Sequence, residues 1–303
     1  MWTPLVLGVA LAAQLPDAPP LPDPVAPIQD VQTDFGTVLA ISSTVYLTSA
    51  LLHEGLGHAG ACALSGGRAE GFSLANAGCS PHTRGEKAAG ALLGNGVGAL
   101  ATGIPLMVAP PRRNGATYYA LWLNTLVNLQ QIGGYMMVGA WLPVGDWGTE
   151  GVLEGQSFGA QLAVSLTGLG LTAATIPLAH HWGRPLFGDD LKAAQPRRRL
   201  LTWTPWLVGS SLVVGGSLLN RAGPEFAVSA ALSTFTGTLA LAYMPLFFSD
   251  PVFAPKGRSK GAPLAIRRQK GWWVVGGLVA VGAVAAFGPG IGRYPKPHPL
   301  DPR

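Results

Sequence analysis

The sequence predicts an all-α protein, a polytopic transmembrane helical bundle of about seven spans with a short loop or strand after the first span. Of its 303 residues, 48% are hydrophobic and only 12% are charged, whereas a soluble domain carries about 25% charged residues. Several apolar blocks reach the ~20 residues that cross a hydrocarbon core of about 30 Å. These blocks also lack the charged face that a surface helix of a soluble protein presents to water.

The chain divides into four predicted segments. Residues 1–34 hold a short apolar run that resembles a signal peptide, followed by a Pro-rich stretch. Residues 35–151 form a predicted three-span core, residues 152–291 add four further spans, and residues 292–303 form a tail. Residues 71–75 are compatible with a strand. The seven predicted spans are 35–65, 87–109, 116–142, 155–181, 201–219, 226–248 and 271–291.

Charge and cysteine content exclude two classes of function. The formal charge of +5 does not indicate nucleic-acid binding, because the basic residues lie in loops between spans, where they face anionic headgroups. Cys62 and Cys79 do not form a C-x-x-C pair, so a thiolate metal cluster is not expected; in an oxidising compartment they could form one disulfide. The expected location is the cell membrane, and the expected partners are the lipid bilayer and a membrane-protein or peptide substrate.

The first predicted span contains the sequence HEGLGH, residues 53–58. Ionisable residues inside a span are costly and therefore indicate a functional site. Neutral imidazoles bind zinc, and a carboxylate beside the first histidine can take a proton from water that the metal activates. We therefore predict that His53 and His58 bind Zn²⁺ and that Glu54 acts as the general base.

The spacing of the two histidines predicts a local distortion of the helix. The histidines of an H-E-x-x-H motif lie four residues apart, whereas His53 and His58 lie five apart. On a regular α-helix their side chains would diverge by roughly 140°. A π-helical turn, with i→i+5 bonding, would return both to one side, and Gly55 and Gly57 favour such a distortion.

Asp146 is the predicted third ligand, because a catalytic zinc site uses three protein ligands and a water. The first and third predicted spans run in the same direction, so Asp146, which follows the third span, shares a membrane face with the two histidines. Glu150 and Glu154 are alternative ligands. Asn95 in the second span, or Asn128 in the third, could support the substrate or an oxyanion. The third span carries a polar stripe that must face inward, formed by Asn124, Asn128, Gln131 and Tyr135.

Over roughly residues 35–150, this sequence resembles the site-2 protease group of intramembrane zinc metalloproteases. In that group a first helix carries the His/Glu motif, which His53, Glu54 and His58 match with one inserted position. A later helix supplies an Asp ligand, which Asp146 matches, and Asn95 ends a stretch of small residues similar to one in the group. The resemblance implies a membrane-embedded zinc protease that cleaves peptide bonds in membrane-associated substrates.

The main alternative is a non-catalytic polytopic membrane protein that retains a degenerate protease fold. A di-iron membrane oxidase is rejected, because such sites need several more histidines than this sequence brings to one face. The four other histidines are scattered over both predicted faces: His82, His180, His181 and His298.

The orientation in the membrane stays open at this point. A cleaved signal peptide would place the active site on the cytoplasmic side, as the family resemblance also implies. The positive-inside rule places it outside, and the two cysteines favour the outside as well. Seven cations fall on the predicted active-site face, namely Arg68, Arg84, Lys87, Arg221, Arg293, Lys296 and Arg303. The other face has thirteen: Arg112, Arg113, Arg184, Lys192, Arg197, Arg198, Arg199, Lys256, Arg258, Lys260, Arg267, Arg268 and Lys270.

Overall fold

The computed structural model describes most of the chain after residue 30. The described residues are 31–81, 83–111, 113–143, 145–188, 194–221, 223, 225–247 and 262–292. The signal-like run and the Pro-rich stretch lie outside them, as does the tail after residue 292. The described residues belong to one compact unit that begins at Val31. The functional division at residue 151 stays a prediction.

Seven long helices make up most of the described chain, and three of them contain a π-helical segment. Four helices begin at a residue whose side chain accepts a hydrogen bond from the first turn, namely Asp34, Thr83, Asn114 and Ser157, as expected of N-caps. The helices are α1 (Phe35–Leu51, π-helical Leu52–Ala59, Gly60–Leu64), α2 (Arg84–Val108), α3 (Gly115–Gly139), α4 (Phe158–Phe187), α5 (Gln195–Thr204, π-helical Pro205–Gly209, Ser210–Ser217), α6 (Glu225–Ala231, π-helical Leu232–Thr236, Leu239–Phe247) and α7 (Lys270–Phe287).

A small antiparallel sheet follows α1 and is completed after α7. Its strands are β1 (Arg68–Phe72), β2 (Ala77–Ser80) and β3 (Ile291–Gly292), in the order β2-β1-β3. The predicted strand at 71–75 overlaps only the end of β1. The chain turns directly after β1, where the Ser73 N–H donates to the Asn76 carbonyl, and this turn allows β2 to pair with β1.

Five described helices are long and apolar enough to cross a membrane: α1, α2, α4, α6 and α7. The predicted count of seven spans is therefore wrong as a count of apolar helices, although all seven predicted segments contain a helix. The two exceptions have polar sequences. Helix α5 begins with Gln195 and the three arginines 197–199, and α3 carries the polar stripe. In both helices, therefore, no stretch of membrane-spanning length is sufficiently apolar.

Helix α3 is the central element of the bundle, and α1, α2 and α4 pack around it. Two of its large polar side chains donate to backbone carbonyls of neighbouring helices. The Trp122 indole N–H donates to the Ala179 carbonyl at 3.0 Å, and the Tyr119 hydroxyl donates to the Leu201 carbonyl at 2.9 Å. Pro205 has no N–H to donate to that Leu201 carbonyl four residues earlier. Protein on all sides thus permits a polar helix in the centre of an apolar bundle.

Candidate metal centre

The two motif histidines lie on a π-helical segment of α1. His53 and His58 both fall within Leu52–Ala59, which is π-helical, and the Gly60 N–H at its end donates to the Gly55 carbonyl five residues back. The centroids of the two imidazole rings are 4.9 Å apart. The predicted departure from regular α-helix is confirmed. Both imidazoles therefore face the same side, although a regular α-helix would direct them roughly 140° apart.

Asp146, in the loop after α3, bridges the two histidines. Its Oδ2 lies 3.0 Å from His53 Nε2, and its Oδ1 lies 3.1 Å from His58 Nε2. One ligand atom from each of the three side chains lies within 4.8 Å of the others. In a tetrahedral zinc site with bonds of ~2.0–2.1 Å, ligand atoms are separated by roughly 3.3 Å. The structure thus brings the three predicted ligands together at distances close to those of a metal site.

Two buried imidazole nitrogens of the cluster have no hydrogen-bond partner in the described part of the chain. Nε2 of His58 is buried, and its position beside Asp146 lacks hydrogen-bond geometry, so within the described residues it has no hydrogen-bond partner. Nδ1 of His53 is also buried without one. An unpaired buried nitrogen is costly, and a metal ion between the three side chains would bind the Nε2 of His58. The donor set and its geometry therefore fit a metal ion.

The surroundings of Asp146 favour its ionised form. Burial raises the pKa of this carboxyl, but the charge of His58, together with the hydrogen bond and charge of His53, outweighs burial. Together they hold the pKa of Asp146 well below its ordinary value. The carboxylate is the form that binds a metal ion, so Asp146 is prepared to act as a ligand.

Tyr135 and Gly145 hold the loop that carries Asp146. The Asp146 backbone N–H donates to the Tyr135 hydroxyl at 3.0 Å. Gly145 has a φ of +89°, a conformation that residues with a side chain rarely adopt. A Cβ at Gly145 would also collide with the Tyr135 hydroxyl. The turn therefore requires glycine immediately before Asp146, and the hydrogen bond to Tyr135 fixes the Asp146 backbone next to α3.

Glu54 lies in the wall of a cavity beside the cluster. The cavity has a volume of about 270 Å³, and His58 and Asp146 also line it. The β1–β2 turn, the start of α2, the loop after α3 and the start of α6 complete the wall. Glu54 itself is only 7% exposed. Glu54 thus lines, together with two of the three predicted ligands, a space that can admit water or a substrate.

The three-residue cluster is the one group of metal-capable side chains in the described part of the chain. Glu150 lines the cavity without belonging to the cluster, and Glu154 is exposed. His180 and His181 lie towards the end of α4 that meets the start of α3, away from Asp146.

No known protein family, curated protein or solved structure matches this chain.

The two predicted substrate-supporting asparagines are placed differently. Asn128 is fully buried, its Oδ1 accepts from Ser49 Oγ, and its Nδ2 donates to the Asn124 carbonyl. It does not line the cavity, and its side chain ties α3 to α1. Asn95 is 1% exposed, and its Oδ1 has no hydrogen-bond partner within the described chain. Neither asparagine joins Glu54 in the cavity wall.

Glycines of α2 allow that helix to pack directly against the π-helical segment. A Cβ at Gly90 would collide with the His58 ring, and a Cβ at Gly94 would collide with the Leu52 carbonyl and lie 2.7 Å from His53 Cα. Small residues four apart permit such close contact between membrane helices. Helix α2 thus packs directly against the His58 ring at Gly90 and holds the ring in place.

Sequence reasoning missed several residues around the cavity. Glu86 and Lys87 line it from the start of α2, and Ser229 lines it from α6. Glu86 could have been recognised from the sequence, because Thr83 and Glu86 have the spacing of a capping box. Thr83 does cap α2 in the structure. Ser229 had no such signal, since its position depends on how α6 packs.

Proposed function

We propose that this protein is a membrane-embedded zinc-dependent protease that cleaves peptide bonds in membrane-associated substrates. One observation carries the proposal: His53, His58 and Asp146 converge within 4.8 Å, with Glu54 beside them in the wall of one cavity. Two imidazoles and a carboxylate, with space left for water, are typical of catalytic zinc sites. The resemblance to site-2 proteases, based on the same four residues, supports the same activity.

In this proposal each residue has a separate task. His53, His58 and Asp146 would hold the metal ion, which would supply the Lewis acidity that activates water and polarises the substrate carbonyl. Glu54 takes a proton from the attacking water and passes it to the leaving amine. Its burial beside the ligands keeps the carboxylate within reach of the cavity and shields it from bulk solvent. The ionised Asp146 would offset one of the two positive charges of a bound zinc ion.

The proposed membrane location is supported by apolar side chains on the outside of the bundle. On α7, Val274, Leu278 and Val281 are 61%, 69% and 71% exposed, and their spacing places them on one helix face. A soluble monomer rarely exposes a continuous apolar surface of this kind. In the proposed protein this face contacts the lipid bilayer. The metal centre, near the C-terminal end of α1, then lies where a substrate segment meets the membrane.

The test compares Glu54→Gln with Glu154→Gln in the full chain, reconstituted in liposomes with a fluorescence-quenched single-span peptide. Glu54→Gln keeps the size of the side chain but removes the base, so cleavage should fall by about 100-fold or more while the metal stays bound. Glu154→Gln changes an exposed carboxylate outside the cluster and should cleave as the wild type does. Full activity in Glu54→Gln would refute the proposal and favour the non-catalytic membrane protein.

A further inference from the structure

The two ends of helix α1 differ in chemistry, and the difference concerns the side of the membrane on which the metal centre opens. Near its C-terminal end, four residues after His58, Cys62 forms a disulfide with Cys79 of β2. Both cysteines are almost fully buried. Structural disulfides persist in oxidising compartments and are rare in the cytoplasm. This end of the protein therefore has the chemistry of an extracytoplasmic surface.

The disulfide and the metal centre belong to the same end of the molecule. Strand β2 begins at Ala77, which lines the cavity together with Glu54, and contains Cys79 two residues later. Cys62 and the motif histidines are on one continuous helix. A compartment that oxidises the two cysteines is therefore also the one into which the cavity opens.

The N-terminal end of α1 contacts the segment 262–270. The Asp34 N–H donates to the Ile266 carbonyl, and the Gln269 N–H donates to the Thr37 hydroxyl. From Thr37 to Cys62 the helix rises by about 38 Å, which exceeds the ~30 Å of a hydrocarbon core. The two ends of α1 can therefore lie on opposite sides of a membrane.

Positive charge is concentrated at the N-terminal end of α1. Around the segment 262–270 the described cations are Arg113, Arg184, Arg197, Arg198, Arg199, Arg267, Arg268 and Lys270. At the metal end they are Arg68, Arg84, Lys87 and Arg221. Membrane proteins place the side richer in Lys and Arg in the cytoplasm, so the charge distribution agrees with the disulfide.

Aromatic residues accompany two of the arginines at the basic end. The Arg268 guanidinium lies 4.3 Å from the centroid of the Trp273 ring, and the Arg199 guanidinium lies 5.6 Å from that of Trp203. Tryptophan is enriched at the membrane–water interface, where its ring sits among the headgroups. The Arg–Trp pairs at the starts of α7 and α5 thus agree with a position of this end at the membrane–water interface.

We infer that the metal centre opens into the oxidising compartment outside the cytoplasm, and that its substrates are polypeptide segments exposed there next to the membrane. The cleavage itself rests on the proposed function. The orientation does not, because it follows from the disulfide and from the distribution of cations. It is the orientation opposite to that implied by the resemblance to site-2 proteases.

The experiment labels one introduced cysteine at each end of the full-length protein with a membrane-impermeant maleimide. Gly85→Cys lies in the first turn of α2 at the metal end, and Gly271→Cys lies in the first turn of α7 at the basic end. Both glycines are exposed, with no other group within 4 Å of a new Cβ. Both variants keep the native disulfide, and the wild type controls for labelling of the native cysteines in denaturant, before and after reduction with a phosphine.

In intact cells Gly85→Cys should be labelled, and Gly271→Cys only after the membrane is permeabilised. The wild type should stay unlabelled in intact and permeabilised cells, and after denaturation it should be labelled only if the disulfide is reduced first, because both native cysteines are buried. Labelling of Gly271→Cys in intact cells, alone or together with Gly85→Cys, would overturn the inference. Free thiols in the unreduced wild type would also overturn it. Because labelling does not require hydrolysis, an inactive protein labelled as expected would refute only the proposed function.

Discussion

Tyr135 positions the Asp146 carboxylate through the backbone and does not belong to the ligand cluster. Its hydroxyl accepts from the Asp146 N–H at 3.0 Å. Tyr135→Phe removes that contact and frees the loop, and loss of such an outer contact typically costs 10–100-fold in metal affinity. We expect a weakening of that order, measured by competition with a coloured zinc chelator.

Tyr119→Phe is the matched control for this substitution. Tyr119 is on the same helix, and its hydroxyl makes a buried hydrogen bond as the donor, to the Leu201 carbonyl. It lies sixteen residues before Tyr135, or about 24 Å along α3. Its loss should lower the thermal midpoint and leave zinc affinity unchanged. Equal zinc affinities in the two variants would show that Tyr135 does not position the ligand.

At the scale of elements, the contact between α2 and the π-helical segment of α1 determines whether the two imidazoles can meet. Gly94→Ala places a methyl group against the Leu52 backbone carbonyl, which cannot move without displacing His53. Overpacking of this kind typically costs about 1–3 kcal/mol. We therefore expect Gly94→Ala to lower both the thermal midpoint and the zinc content of the purified protein.

Gly96→Ala provides the comparison on the same helix. Nothing lies within 4 Å of a Cβ at Gly96, so the substitution adds only helix propensity, up to about 1 kcal/mol. The thermal midpoint should stay the same or rise, and the zinc content should not change. If Gly94→Ala behaves like Gly96→Ala in both measurements, close packing of α2 does not support the metal site.

The part of the site on α1 could be predicted because its chemistry is local in sequence. The five-residue spacing of His53 and His58 predicts the π-helical segment, since only that geometry lets both rings face one side. Asp146 could be predicted from the direction of the spans. Three other features depend on tertiary packing, which no local sequence pattern reveals. They are the hydrogen bond between Tyr135 and Asp146, the pairing of β1 with β2, and the hydrogen bonds of the Asn128 side chain.

At the scale of the whole molecule, the number of predicted spans is seven and the number of apolar helices in the described chain is five. The numbers differ because a helix that is covered by other helices does not need to be covered by lipid. Helix α3 needs no lipid-facing apolar surface, since α1, α2 and α4 surround it. Hydropathy reports the composition of a helix and not its neighbours. The same central helix carries Tyr135 and leads into Asp146. The polar stripe that lowers the hydropathy of α3 therefore includes a residue of the candidate site.

Zinc content of the purified full-length protein tests the central claim most directly. The wild type should hold about one zinc ion per chain, and Glu54→Gln should hold as much. His58→Ala should lose the metal, because removing the imidazole deletes a ligand whose Nε2 has no other hydrogen-bond partner in the described chain. Absence of zinc from the wild type after supplementation, or equal zinc in wild type and His58→Ala, would contradict the assignment of this cluster as a zinc site.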